Sequence, residues 1–349
     1  MKNFFRYCAI GILMVSSCKV DPSIDPELLP HTHAHDLSIP VGLPDLIVPT
    51  SNPLTEEGIA LGRKLFYDPI LSKNGTISCA SCHRQSFAFS DTSIQFSLGI
   101  DGLEGTRNAM PLFNLGYQKK FFWDGGAASL EDQVIAPIQN PVEMHETLSA
   151  VLSKLQSHPE YPALFQKAFA SSQITTTMLM KAIAQFERTM ISGNSKFDQY
   201  LRGQATLSQQ EQLGMNLYMQ EDKGDCFHCH TLGSTFSDFE FRNNGLDAVP
   251  VDPGRYLVTL NESDRGKFKT PSLRNIEVTA PYMHDGRFST LQEVLNHYNS
   301  GFIVNELTDP NLAILSKNRM TQQEMDAIIA FLKTLTDYEF LTNPRFSKP

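Results

Sequence analysis

Cys79-Ala80-Ser81-Cys82-His83 and Cys226-Phe227-His228-Cys229-His230 are two copies of one five-residue pattern, and the reading of the chain turns on them. Two cysteines separated by two residues and followed at once by histidine form the attachment pattern for c-type haem. The thiols add across the haem vinyl groups, and the adjacent histidine binds iron from the proximal side. A single copy would also suit half of a zinc or redox site. Two full copies, with no other cysteine after Cys18, argue against both. The sequence therefore predicts two covalent haems on Cys79, Cys82, Cys226 and Cys229, with His83 and His230 as iron ligands.

The chain of 349 residues suits two domains of ordinary size, one haem in each. A formal net charge of −9 argues against a nucleic-acid partner. Lys2 and Arg6, the apolar run Ala9 to Val15 and the small residues Ser16-Ser17 read as an export signal. Val15-Ser16-Ser17-Cys18 resembles a bacterial lipoprotein box, with Cys18 lipidated after cleavage; the alternative is an ordinary signal with an incidental cysteine. Haem c is attached outside the cytoplasm, so the expected product is a periplasmic lipoprotein held to a membrane by its lipid alone. The expected division is a signal over 1–17, a flexible tether over 18–50, a first haem domain over 51–203 and a second over 204–349. The tether is rich in proline and carries His31, His33 and His35, which read as a loose segment or as metal ligands.

Helix signals dominate. Thr55 caps a helix with Glu56 and Glu57 in its first turn, ended by Asp68-Pro69. A short helix over Ser129 to Pro137 should be interrupted by Pro137. An amphipathic pattern runs from Thr177 to Ile191. Capping boxes at Ser208/Glu211, Thr290/Glu293 and Thr321/Glu324 open three more helices, the second ending at Gly301. A helix precedes each haem motif, a weak internal repeat. Strand signals are few, so the expected class is mainly α, with two small cytochrome c-like domains.

A haem that only carries electrons has both axial positions filled, whereas one that works on peroxide needs one vacant. Between His83 and His145 lies one methionine, Met110, so no sixth ligand for the first haem is evident. For the second haem, Met215, Met219, Met283, His284, His297 and Tyr298 are candidates that composition does not rank. Trp123, the lone tryptophan, reads as core or as an electron relay between haems. Gln133 and Pro137 share a helix face. Glu143 reads as a surface carboxylate, or as the acid–base group of a haem pocket that moves a proton between the two oxygens of peroxide.

Leu61-Gly62-Arg63-Lys64-Leu65-Phe66, Arg107-Asn108, Phe122-Trp123-Asp124-Gly125, Val142-Glu143-Met144, Thr270-Pro271-Ser272-Leu273-Arg274-Asn275 and Thr279-Ala280-Pro281-Tyr282-Met283-His284-Asp285-Gly286, together with both haem motifs, are similar to the bacterial di-haem cytochrome c peroxidases and their MauG relatives. The similarity spans roughly Pro53 to Leu335. It implies that Trp123 lies between the haems, that Gln133 and Glu143 are the distal glutamine and catalytic glutamate, and that Pro137 is a distal proline. It places Asn108 and the backbone carbonyls of Thr279 and Pro281 at a calcium site between the domains, and His284 at the edge of the second haem. Ile100 stands where typical members carry the histidine that caps the resting first haem, so the iron is expected open without prior reduction. Tyr298 stands where those members carry a methionine ligand; MauG-like members use tyrosine, whose anionic oxygen favours oxidised iron.

The resemblance implies reduction of hydrogen peroxide with electrons from a small periplasmic cytochrome c, a cupredoxin or a quinol-linked carrier. The MauG-like alternative oxidises a partner protein, and a plain electron carrier would need two six-coordinate haems. Members of the family are often homodimers, but no interface is legible in the sequence.

Overall fold

The computed structural model describes residues 32–91, 93–312 and 319–349. The expected signal, the lipidated Cys18 and His31 lie outside the described residues. Among the described residues no helix is long and apolar enough to cross a membrane.

Thr55 is extended, and its hydroxyl accepts the Gly58 N–H at 3.0 Å, opening helix α1 (Glu56–Tyr67). Helix α2 (Thr176–Thr189) begins at the matching cap of Thr175. The boxes at Ser208 and Thr321 form as expected and open α3 (Gln209–Tyr218) and α4 (Gln322–Lys333). Helix α1 packs on α2 and α3 on α4, by one device used twice. A Cβ added at Gly62 would lie 1.9 Å from the carbonyl oxygen of Ala182, and one added at Gly214 would lie 1.9 Å from that of Ala327. Four residues after each glycine, Phe66 meets Phe186 at 5.5 Å and Tyr218 meets Phe331 at 5.3 Å, both edge to face. The faint repeat of helix then haem motif is thus a duplicated crossed helix pair. Gly62→Ala and Gly214→Ala should each lower the melting temperature: the helical preference for alanine gains about 1 kcal/mol, but a clash with backbone leaves overpacking of about 1–3 kcal/mol or more. A melting temperature equal to or above the parent's would show that the helices are free to separate.

Three apolar clusters surround these pairs. Leu61, Leu65, Val151, Phe165, Leu179 and Ile183 form one. Phe66, Phe89, Leu130 and Phe186 form a second, which the C-terminal Phe340, Leu341 and Phe346 complete. Phe197, Leu217, Phe236, Leu295, Ile328 and Phe331 form the third. The only strands among the described residues are β1 (Phe241–Arg242) and β2 (Phe268–Lys269), antiparallel, with Phe241 opposite Lys269. The protein is mainly α, as expected.

Three local expectations need correction. Pro137 does not end a helix. Two short helices, Leu130–Gln133 and Ile135–Gln139, meet at Val134, and Pro137 is the third residue of the second, where a backbone N–H has no intrahelical acceptor. The helix opened by Thr290 is α-helical only over Leu291–Asn296, and His297–Gly301 is a π turn. Nor is the proline-rich segment a loose tether in its second half. His33 binds Glu57 at 2.6 Å and His35 binds Glu56 at 2.8 Å, so the acids that favour the start of α1 also hold the incoming chain.

Candidate active site

The first motif forms a single helical turn, Cys79–Cys82, and the His83 N–H closes it on the Cys79 carbonyl at 2.9 Å. His83 Nδ1–H donates to the Phe89 carbonyl at 2.8 Å. In the second motif His230 Nδ1–H donates to the Pro271 carbonyl at 3.0 Å. Each bond fixes the tautomer and leaves the Nε2 lone pair for a metal. Burial lowers both imidazoles, His230 to about 4, so both rings are neutral donors. The four motif cysteines form no disulfide, and burial raises every thiol, Cys82 and Cys229 to about 11. No cluster of three or more His, Cys, Asp or Glu suited to a metal occurs among the described residues. Protonated thiols beside a neutral, oriented imidazole fit thioether-linked haem.

Above the first motif, Gly99 and Ile100 press onto the Glu143 segment. The Ile100 N–H donates to the Glu143 carbonyl at 2.9 Å, and a Cβ at Gly99 would lie 2.4 Å from the Val142 carbonyl oxygen. His145 pairs with Asp101 of the same loop at 2.5 Å. Glu143 Oε1 accepts from Asn140 Nδ2 at 2.7 Å. Burial raises the Glu143 carboxyl above its ordinary 4.5, against the lowering pull of Asn140. Its charge opposes ionisation of both Cys79 and Cys82, which places it beside the motif. The Pro137 carbonyl accepts the Met144 N–H at 3.1 Å, tying the Gln133–Pro137 segment to this turn. Gln133 is half-buried at the end of its helix.

Sequence reasoning missed a second acid here. Glu187, on α2, is 3 % exposed, its Oε2 has no hydrogen-bond partner, and burial raises its carboxyl to about 8. Its charge too is felt by Cys79. In sequence it stands beside Arg188, which gives no signal, because Arg188 pairs instead with Glu131 at 3.0 Å.

Trp123 is 9 % exposed, and its Nε1–H donates to the Asn108 carbonyl at 2.9 Å. The Trp123 carbonyl accepts the Lys269 N–H at 2.7 Å. Two residues later, just past β2, the Pro271 carbonyl holds His230, so one short stretch of chain joins the tryptophan to the second motif. Lys269 is 2 % exposed and has neutral acceptors, Gln118 Oε1 and the Lys120 carbonyl at 2.9 Å. Burial lowers its ammonium to about 7. Arg107 bridges Asp124 and Asp252, each at 2.6 Å, and clamps the Trp123 segment to the later part of the chain.

Asn108 donates its amide to Gln95 O at 3.1 Å, turning Oδ1 the other way, and its N–H binds the His284 carbonyl at 2.8 Å. A Cβ at Gly286 would lie 3.2 Å from both Asn108 Nδ2 and Pro281 Cγ, so Asn108 and Pro281 face one another across that glycine. Among the described residues no hydrogen bond reaches the carbonyl of Thr279 or of Pro281. These oxygens suit a hard cation. His284 is 7 % exposed and stacks on Phe268 at 3.6 Å.

Of the candidates for the second iron, His297 is occupied, its Nε2 on the Asn244 carbonyl at 3.0 Å. Met219 is 38 % exposed, and Met215 packs on the third cluster. Tyr298 lies in the π turn, an element enriched at functional sites. Its Oη accepts from Asn244 Nδ2 at 3.3 Å, and burial raises the phenol to about 12.

Fold and motifs define a class of mainly helical protein with two haem c attachment sites, the first of them beside the buried carboxyls of Glu143 and Glu187. A family model described as "Di-haem cytochrome c peroxidase" matches residues 56–206. The chain is 36 % identical to methylamine utilization protein MauG of Methylorubrum extorquens, over 82 % of this chain and 80 % of that one. It is 38 % identical to cytochrome c551 peroxidase of Nitrosomonas europaea, over 79 % of each. The crystal structure of a MauG-like protein associated with microbial copper homeostasis superposes with a TM-score of 0.82 at 35 % identity, covering 90 % of this chain and 99 % of that one. The chain belongs to the di-haem cytochrome c peroxidase family, and is an oxidoreductase of peroxidase type with two haem c groups.

Proposed function

We propose that this chain reduces hydrogen peroxide to water at the haem carried by Cys79, Cys82 and His83, taking electrons from a small periplasmic donor. The observation that carries the reading is the tie between Ile100 and Glu143. The loop that would supply a sixth ligand carries an isoleucine, and its backbone is spent on the catalytic segment. Peroxide takes up two electrons and two protons and gives two waters.

The first haem, when bound, would supply the iron chemistry for O–O cleavage; Cys226, Cys229, His230 and Tyr298 would hold the second, which would supply the electron entry, and Trp123 would serve as the relay. Glu143, kept above the ordinary carboxylate range, takes the proton of one peroxide oxygen and returns it to the other. Asn140 holds one carboxyl oxygen, and Gln133 orients the bound peroxide. Asn108, Thr279 and Pro281 would hold a calcium ion, and the Asn108 carbonyl, which binds Trp123 Nε1–H, would tie that site to the Trp123 segment. The two haem domains divide near residues 203 and 204, and a lipid on Cys18 keeps the enzyme, as monomer or homodimer, at the periplasmic side of a membrane.

Tyr298 favours a second reading, in which the haems oxidise a partner protein as MauG-type members do. Turnover on small reductants compared with co-encoded proteins separates the two. Low-temperature EPR of the resting ferric protein should show one high-spin and one low-spin haem; two low-spin signals would leave no seat for peroxide and remove both readings.

A further inference from the structure

We propose that Asn244 is a positioning residue for the second haem's axial tyrosine, and that the hydrogen bond from its amide to Tyr298 sets the potential of that haem. The inference rests on the reading of Tyr298 as an iron ligand.

Asn244 grips the π turn at two successive residues. Its backbone carbonyl accepts from His297 Nε2 at 3.0 Å, and its side-chain amide reaches Tyr298 Oη at 3.3 Å. The orientation of that amide is fixed by a third neighbour, since Nδ2 also lies 3.4 Å from Met283 Sδ. A thioether sulfur only accepts, so the amide must present its NH2 to this side. Met283 holds a left-handed backbone, φ 74°, which an unbranched non-glycine residue adopts only where its surroundings impose it. The π turn is the matching local cost on the other side. Strain on two separate segments thus converges on one amide.

A tyrosine bound to iron has lost its proton and only accepts. Asn244 Nδ2 is the hydrogen-bond donor to its oxygen among the described residues. A donor to an axial ligand draws electron density from it, weakens its push on the metal and raises the potential. Asn244 therefore offsets part of the lowering that tyrosinate brings, and keeps the second haem reducible by an ordinary donor.

The experiment uses the full-length holoprotein and Asn244→Leu, which keeps the bulk and removes the donor. Tyrosinate modes should persist in its resonance Raman spectrum, the tyrosinate-to-iron charge-transfer band should move to longer wavelength, and the midpoint potential of the second haem should fall. A band and a midpoint both equal to the parent's would overturn the proposal. The parent protein offers an independent test if the variant does not assemble. Transfer to D2O should shift its iron–tyrosinate stretch, and an unmoved stretch counts against Asn244. Tyr298→Phe guards the premise: if it leaves the parent's tyrosinate modes in place, the ligand assignment has failed, and Asn244 with it.

Discussion

Glu143→Gln should reduce steady-state peroxide turnover by about 10²–10⁴-fold, the usual contribution of a positioned acid–base group. That is about 3–5 kcal/mol in the barrier. Glutamine keeps the size of the side chain and its place beside Asn140, but it cannot carry a proton between two oxygens. Both haem spectra should be unchanged, because the histidines are oriented by the Phe89 and Pro271 carbonyls and not by Glu143. Turnover in the parent should also fall as pH drops, because a protonated carboxyl cannot accept. Burial raises this carboxyl above 4.5, so the acid limb should centre above that pH and vanish in the variant. Glu187 supplies the contrast. It too lies near Cys79, but it stands on α2 and not in the turn that carries Asn140 and Glu143. Loss of activity in Glu187→Gln with retention in Glu143→Gln would move the proton step to the helix and sink the assignment made here.

Much of this architecture is written in local signals. Thr55, Ser208, Thr290 and Thr321 each opened the expected helix, because a cap satisfies donors within one turn and needs no distant partner. The haem motifs are equally local. What escaped detection depends on partners far along the chain. Lys269 reads as a surface cation until its strand is seen to pair with the Trp123 carbonyl. Asn244 lies in an unremarked loop, and only the fold brings it to Tyr298 and Met283. His33 and His35 looked like linker residues because their carboxylate partners lie more than twenty positions later. Pro137 was misjudged for a related reason: its effect depends on where the helix starts, and a new helix starts at Ile135.

Asp198→Ala should cost about 3–5 kcal/mol of stability, since it strands a buried charge. That is a large part of the roughly 5–15 kcal/mol that holds a domain folded. Arg274 is 1 % exposed, and its guanidinium makes two bonds of 2.8 Å to the two Asp198 oxygens. Around it the segment Thr270–Asn275 is pinned at three further residues. Ser272 binds the Thr235 carbonyl at 2.5 Å, Asn275 accepts from the Asp337 N–H at 2.8 Å, and Pro271 holds His230. Loss of the arginine's partner should therefore disturb the second haem's spectrum while the first is unaffected. Replacing both partners by apolar residues, Asp198→Leu with Arg274→Met, should recover most of the loss, because it removes the stranded charge along with the pair. Burial pushes Asp198 up, but Arg274 and Ser195 outweigh it and hold the carboxyl below its ordinary 3.8. The folded value lies under the unfolded one, so the pair's contribution is complete above pH 3.8 and drains away as pH falls through the lower folded value. Acid melts of the parent and of Asp198→Ala should thus converge at low pH and part above it, because a protonated Asp198 strands Arg274 just as alanine does. Equal losses in the single and double variants would mean that packing, and not the stranded charge, is what Asp198 supplies.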